Sequence, residues 1–217
     1  PTEAKYADEI ERSLYNVVLA NQDERGYIRY HSRLEGEKEE AKSINTCCEV
    51  MGSPFIANLP QYVYSVADDG LYVNLFTSSS ITWKKNDAAV TVTQRTDFPY
   101  KGTVEIEINL PDPTAAQGRT TLTHASWTLR VRIPGWTPGE VDVCVNGRQT
   151  ARGTPGSYVE LDRTWGDGDI VSLRLPAALR VERYAGVDQH PKYDRYALLY
   201  GPVLMALTGA DDLDIPV

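Results

Sequence analysis

Cysteine, histidine and methionine are scarce in this chain: its 217 residues include three Cys, three His and two Met. Three cysteines cannot build a disulfide scaffold. The adjacent pair Cys47 and Cys48 could bridge only through a strained small ring far from ordinary disulfide geometry, so a free dithiol is expected. No apolar run approaches the roughly 20 residues needed to cross a bilayer. The opening PTEAKYADEI has neither a basic start nor an apolar signal region. A membrane is therefore not expected as a partner, and the compartment, cytoplasmic or secreted, is left open. An excess of positive charge is also missing. Lys and Arg number 22 against 30 Asp and Glu, a formal net charge of -8, which repels phosphate backbones and anionic lipid; nucleic acid is not an expected partner. No internal repeat is visible.

What is present is enough apolar residue, 41%, to fill one large core or two small ones. Near the start, Ile10, Leu14, Val17 and Val18 recur at helical spacing, while Asp8, Glu9, Glu11 and Arg12 fall elsewhere on the wheel. This predicts an amphipathic helix capped by Thr2, with Glu3 in its first turn. From Asn21 to Ser43 the pattern dissolves into a polar stretch with Gly26, Gly36 and the charge run Glu37, Lys38, Glu39 and Glu40, which reads as a long loop. A second helical region begins near Thr46 and runs, broken or kinked at Pro54 and Pro60, towards Tyr64. After the Asp68-Asp69-Gly70 turn the period changes to two. Leu71, Val73 and Leu75 begin the alternation; Val104, Ile106 and Ile108 against Glu105 and Glu107 continue it, as do Leu129, Val131 and Ile133 against Arg130 and Arg132. Val141, Val143 and Val145, then Val171, Leu173 and Leu175, complete it. The expected fold is mainly β, an antiparallel β-sandwich over residues 70–217 preceded by a helical segment of two or three helices over residues 1–69. The likeliest long sandwich loop is Pro111 to Gly118.

The chemically informative stretch is Asn45-Thr46-Cys47-Cys48-Glu49. Thr46 followed by Glu49 fits a capping box, which places both thiols in a first helical turn. There the dipole and free N–H groups favour thiolate. Two adjacent thiolates repel unless a cation such as zinc lies between them or one stays protonated. Cysteine is also among the most buried residue types, and the pair packs equally well as small apolar groups; a zinc site wants four ligands and two are visible. Cys144 alternates with the Val141, Val143, Val145 face and is structural. His31, His124 and His190 share no spacing with one another and read as solvated or locally bonded, His31 being notable because its loop leads into the cysteine segment. The acidic run Glu35 to Glu40 reads as a solvated charge cluster rather than as the source of a general acid. Asp167-Gly168-Asp169 reads as a hairpin turn. Trp83, Trp127, Trp136 and Trp165 could stack on sugars, but core packing is the expectation.

Several pieces carry a resemblance: Tyr6-Ala7-Asp8 through Glu11 to Leu14-Tyr15-Asn16, the pair Cys47-Cys48, Tyr62-Val63-Tyr64-Ser65, and Asp69-Gly70-Leu71-Tyr72-Val73-Asn74-Leu75. Leu129-Arg130-Val131-Arg132-Ile133-Pro134-Gly135-Trp136, Val145-Asn146-Gly147, Trp165 with Gly168-Asp169, and Gly201-Pro202-Val203 follow in the same order. Together they resemble glycoside hydrolase family 127 over nearly the whole chain. The resemblance implies that residues 1–69 are the end of an (α/α)6 barrel. It also implies a retaining β-L-arabinofuranosidase-like activity on an arabinofuranoside-type carbohydrate substrate, with zinc as cofactor. On that pattern Cys47 is similar to the nucleophile and, with Cys48, to the zinc ligands. The family's other ligands, a glutamate and a third cysteine, and its acid/base glutamate belong upstream of the pair, so the 217 residues alone are expected to be inactive. Glu49 stands where many members have proline, which sets the chain in a different branch and leaves its sugar open. A non-catalytic sandwich that binds carbohydrate or a partner protein is the alternative. Helices that normally line a barrel would expose an apolar face, and self-association is the expected consequence.

Overall fold

Period-two alternation builds two facing sheets in the computed structural model, which describes residues 3–33, 36–41, 47–85, 88–111, 124–189 and 191–209. Thr2, Glu35, Thr46 with its capping box, His190 and the loop beyond Pro111 lie outside the described residues. The helical part comprises α1 (Ala4–Ser13), a π-helical continuation (Leu14–Leu19), α2 (Cys47–Ala57) and α3 (Pro60–Val63). The strands are β1 (Tyr64–Ala67), β2 (Gly70–Val73), β3 (Ser79–Lys85), β4 (Ala88–Thr96), β5 (Thr103–Asn109), β6 (His124–Ile133) and β7 (Val141–Val145). They continue with β8 (Arg148–Gly153), β9 (Ser157–Gly166), β10 (Asp169–Arg174), β11 (Leu179–Arg183), β12 (Tyr196–Tyr200) and β13 (Val203–Leu204).

One sheet has the order β1-β2-β6-β9, the other β3-β4-β5-β10-β7-β8, and a third is β11-β12-β13. The pairings are antiparallel apart from β2 with β6, which run parallel. The sheet therefore begins at Tyr64, six residues before Gly70. The core between the first two sheets is the alternating set read from the sequence, with Leu71, Leu129, Ile106, Val143 and Val171 fully buried. Trp127 and Trp165 are buried beside it, with Trp83 edge-on to Trp127 at 5.0 Å, so these tryptophans pack rather than present rings to a ligand. Two local devices set the register. Asn146 and Gly147 both take positive φ, 51° and 75°, and turn β7 back into β8. Gly70 lies so close to Thr128 of β6 that a Cβ would overlap its carbonyl oxygen, which is what the parallel pairing demands of that position.

The first helix departs from expectation in its buried face. Ala4, Ala7, Glu11 and Leu14 point inward, at spacings of three, four and three, with Ile10 packed partly against the core. Val17 is 55% exposed. The change from i→i+4 to i→i+5 bonding after Ser13 rotates the following side chains out of the phase that a regular helix would give them. Glu3 is the N-cap residue, and its side chain makes no capping bond. Pro54 sits within α2, and the break falls at Asn58 and Leu59, ahead of Pro60 in the first turn of α3.

The polar face of β6 is the second departure. The alternation of Leu129, Val131 and Ile133 with Arg130 and Arg132 implies exposed arginines, yet Arg132 is 0% and Arg130 9% exposed. The cause is α1, whose carboxylates cover this face. Arg132 donates to Glu11 Oε1 at 2.5 Å, to Asp8, and to the carbonyl oxygen of Asn74 at 2.5 Å. Trp136 Nε1 donates to Glu11 Oε2 at 2.7 Å, and the Gly135 amide to Asp8 at 3.2 Å. Burial opposes the charge on Arg132, but Glu11 and Asp8 outweigh it and hold its pKa above the ordinary value. Asn74 extends the network, accepting from the Tyr158 hydroxyl at 2.8 Å and donating to Ser65 Oγ at 2.8 Å. Burial pushes the Tyr158 phenol up to about 12, so it stays a neutral donor. At the sheet edge Arg130 grips Asp69 through both terminal nitrogens at 2.9 and 2.6 Å and reaches Glu160 at 2.8 Å. Asn16, on the π-helical turn, bonds Pro202 O and the Leu204 amide, each at 2.8 Å, and so docks β13.

Two outcomes test this junction. Glu11→Ala and Arg132→Met are each expected to lower the unfolding free energy by roughly 3–5 kcal/mol, since either leaves a buried charge without its partner. The double variant should lose less than the sum in urea titrations followed by tryptophan fluorescence, and additive losses would mean the two side chains do not act as a pair. The Arg130 hydrogen bonds hold the Asp69 carboxyl below the usual carboxylate range against the effect of burial. Its contribution is therefore full above the unfolded value of about 3.9 and is lost as pH falls from there through the lower value of the folded state. Acid titration by circular dichroism should show a shallower loss of stability below about pH 5 in Asp69→Asn than in the parent.

Candidate active-site edge

The cysteine pair opens α2, with Cys47 exposed and Cys48 half-buried, and both are free thiols. Cys48 and Gly52 lie one turn apart on the face that meets the preceding loop. Gly52 is buried against Ile28, and a Cβ there would press on the Ile28 side chain. Cys48 Sγ lies 3.8 Å from the carbonyl oxygen of Tyr30, to which the thiol donates. The loop thus runs under the thiol-bearing end of the helix.

That loop is pinned by Asp23. Its carboxylate accepts from the Arg25 amide at 2.9 Å, the Tyr27 amide at 3.0 Å and the Ala41 amide at 3.3 Å, and the Arg25 guanidinium binds it at 2.8 Å. The Arg25 hydrogen bond, with the backbone amides assisting and burial opposing, holds the Asp23 carboxyl down to about 2. Gln22 pairs with Ile28 in an isolated bridge, and Gly26 turns between them at φ 89°. Arg29, Tyr30, His31, Arg33, Glu39 and Glu40 then line a cleft of about 310 Å³. The His31 ring stands edge-on to Tyr30 at 4.3 Å between centroids. The acidic run is exposed, as expected, and tied to basic residues: Arg33 to Glu39 at 2.8 Å and Arg25 to Glu40 at 3.6 Å. Asp23, Ile28 and Tyr30 were not singled out by the sequence; the Asp-x-Arg-Gly turn was the available signal, and nothing in local spacing placed Tyr30 beside a thiol.

The Cys48 thiol is pushed above its ordinary pKa, first by burial and then by hydrogen bonding to and the charge of Cys47, so of the adjacent pair Cys48 is the sulfur that favours keeping its proton. Among the described residues no group of three His, Cys, Asp or Glu side chains is arranged to hold a metal. A zinc ion takes four donors, and Cys47 and Cys48 could offer two soft sulfurs, half of a ligand set. Cys144 sits in β7, half-buried, apart from this pair. His124 lies at the exposed start of β6 opposite Gly166, and Asp167-Gly168 form the β9–β10 turn. Trp136 stacks on Phe98 at 5.9 Å.

Comparison with known proteins supplies the family. Residues 70–177 match the family model described as the beta-L-arabinofuranosidase, GH127 middle domain. The non-reducing end beta-L-arabinofuranosidase of Bifidobacterium longum subsp. longum is 24% identical over 96% of this chain and 32% of its own length. A solved GH127 beta-L-arabinofuranosidase from Geobacillus stearothermophilus T6 superposes with TM-score 0.72 at 28% identity, over 94% of this chain and 33% of that one. A solved GH127 beta-arabinofuranosidase gives 0.73 at 27% identity over 93% and 33%. The chain spans about a third of the length of these relatives. The family model matches the sandwich and the relatives match nearly the whole chain, and the chain belongs to glycoside hydrolase family 127.

Proposed function

We propose that this chain carries one edge of the active site of a zinc-dependent retaining glycoside hydrolase, similar to β-L-arabinofuranosidases, with Cys47 as nucleophile and Cys47 and Cys48 as zinc ligands. The observation that carries the reading is a vicinal thiol pair at the open end of α2, one sulfur exposed and the other half-buried against Tyr30. The relatives named as β-L-arabinofuranosidases add the substrate class. An exposed sulfur at a helix start can reach the anomeric carbon of a terminal sugar in the adjoining space. Cys47 Sγ would attack that carbon, the glycosidic C–O bond would break, and the leaving oxygen would take a proton from a carboxylic acid. Water then gives a proton to the carboxylate left by that acid and attacks the same carbon, the C–S bond breaks, and the sulfur departs as thiolate, so the configuration is retained. Zinc, when bound, would supply charge that keeps both sulfurs deprotonated and lowers the cost of the departing thiolate. The Cys48 thiol is held by its bond to the Tyr30 carbonyl, a bond that deprotonation would release to free the sulfur for a metal, and the Asp23-pinned loop walls off one side of the space.

Self-association belongs to the same reading. Val17, Val50 and Met51 are 55%, 62% and 73% exposed on the helical segment, apolar positions that a barrel or a second copy would cover.

The test joins metal analysis to kinetics. The chain, and the same sequence extended upstream to the length of its relatives, are assayed for bound zinc and for hydrolysis of an aryl β-L-arabinofuranoside. Zinc should accompany the thiols and fall in Cys48→Ser. In the extended protein Cys47→Ala should cut hydrolysis on the order of 1000-fold or more. An extended protein with no zinc, whose Cys47→Ala variant hydrolyses as well as the parent, rules the mechanism out.

A further inference from the structure

A cleft of about 600 Å³, none of whose lining residues belongs to the thiol-bearing helix, lies between the β4–β5 turn and the strand end of the third sheet. Tyr100 and Tyr200 both line it, Tyr100 at 94% and Tyr200 at 45% exposure. A tyrosine ring left almost wholly in water forgoes the stabilisation its area would gain by packing. It does so on a stiff support. The Tyr100 and Lys101 amides both donate to Asp97 O, at 2.9 and 3.2 Å, and Lys101 Nζ binds Asp97 Oδ2 at 2.7 Å. Phe98, two residues before Tyr100, is stacked on Trp136 and edge-on to Phe76 at 6.1 Å. The facing wall is equally fixed. Tyr200 pairs with Leu179 and Val203 across the third sheet, the Leu175 amide donates to Gly102 O at 2.8 Å, and Asn16 holds Pro202. Arg174, at the end of β10, also lines the cleft, and among the described residues no carboxylate lies within ion-pair distance of it.

We propose that this cleft is a second carbohydrate site, one that holds a neutral pentose oligosaccharide by stacking sugar rings on Tyr100 and Tyr200 while Arg174 donates to their hydroxyls. A sugar ring has an apolar C–H face and a polar rim, the same division that a tyrosine flanked by a guanidinium offers. The volume lies within the range of small-ligand sites, and backbone bonds already fix the main chain that carries both tyrosines, so a ligand has only their side chains to order. The assignment takes the sugar class from the proposed function but needs neither thiol. An enzyme that removes terminal sugars gains from such a site because a tethered polymer presents its ends at raised local concentration.

The test is isothermal titration of the intact chain with a linear arabino-oligosaccharide, and in a parallel arm with an oligogalacturonate. The neutral oligomer is expected to bind saturably. Tyr100→Ala and Tyr200→Ala should each weaken it about tenfold, Tyr100→Phe should retain it because the ring remains, and Cys47→Ala should leave it unchanged. Unaltered melting temperatures of the variants establish that folding is intact. Absence of saturable binding overturns the proposal, and so does binding of the acidic oligomer alone. Binding that survives both tyrosine truncations but disappears with Cys47→Ala overturns it too, by assigning the sugar to the thiol edge. Loss of hydrolysis in the extended Cys47→Ala protein with this binding preserved separates the two sites.

Discussion

A guanidinium with no exposure to water, Arg132, holds this structure together. Placed alone in the interior, it would cost several kcal/mol in lost hydration. Its position is tolerable because α1 brings Asp8 and Glu11 over the same face of β6, and because the Asn74 carbonyl takes a further N–H. Two carboxylates against one guanidinium leave an excess negative charge, which the Trp136 indole and the Gly135 amide share. The consequence is that the helix and the sandwich are not independent. Either element without the other exposes half of a charge network, so the geometry of the junction is set by hydrogen bonds of defined direction rather than by apolar contact alone.

This explains both what the sequence revealed and what it concealed. The core face of each strand was legible from alternation: Val104, Ile106 and Ile108 of β5 are fully buried and Glu105 is exposed, as period two requires. The same rule failed on β6, where Arg130 and Arg132 alternate with apolar residues and are buried on the other side. Alternation states which residues share a face, and it is silent on whether something covers that face. On α1 the corresponding failure was to treat Glu11 as solvent-facing because it is charged, although its spacing from Ala4, Ala7 and Leu14 puts it on the inward face. The displaced phase after Ser13 was illegible because π-helical bonding leaves no composition signal in Leu-Tyr-Asn-Val-Val-Leu.

The motif pieces that carried the family resemblance turn out to be mutual partners. Asp8 and Glu11 meet Arg132, Gly135 and Trp136; Asp69 meets Arg130; Asn16 meets the segment from Pro202 to Leu204; Asn74 meets Tyr62 and Ser65. They lie far apart in sequence, up to 188 positions for Asn16 and Leu204. A resemblance built of such pieces is a statement about a shared fold junction first, and about chemistry only through Cys47 and Cys48. That is why the fold could be inferred with more detail than the site. The thiols were visible as a dipeptide, whereas their surroundings depend on a loop whose organiser, Asp23, is an ordinary turn residue in the sequence.

The route of the chain adds one consequence for the site. The helical segment is fastened to the sandwich at its start by the Arg132 network and at its end by Val63, whose carbonyl oxygen accepts from the Asn74 and Leu75 amides. Between these two anchors α2 contributes only Gly52 to the buried set, and it is held by the Ile28 contact with the Asp23-pinned turn behind it, by the Cys48 bond to the Tyr30 carbonyl and by Phe55 stacked on Tyr62 at 5.6 Å. The cysteine pair is thus held at the end of a lever rather than in a packed interior. Its height above the sheet is fixed by rigid attachments on both sides, while its immediate surroundings are set by a turn that depends on one carboxylate with three amide donors and an arginine. Motion of α2 by a fraction of an ångström would disturb few buried contacts and would leave the Arg132 junction, on which the fold relies, untouched.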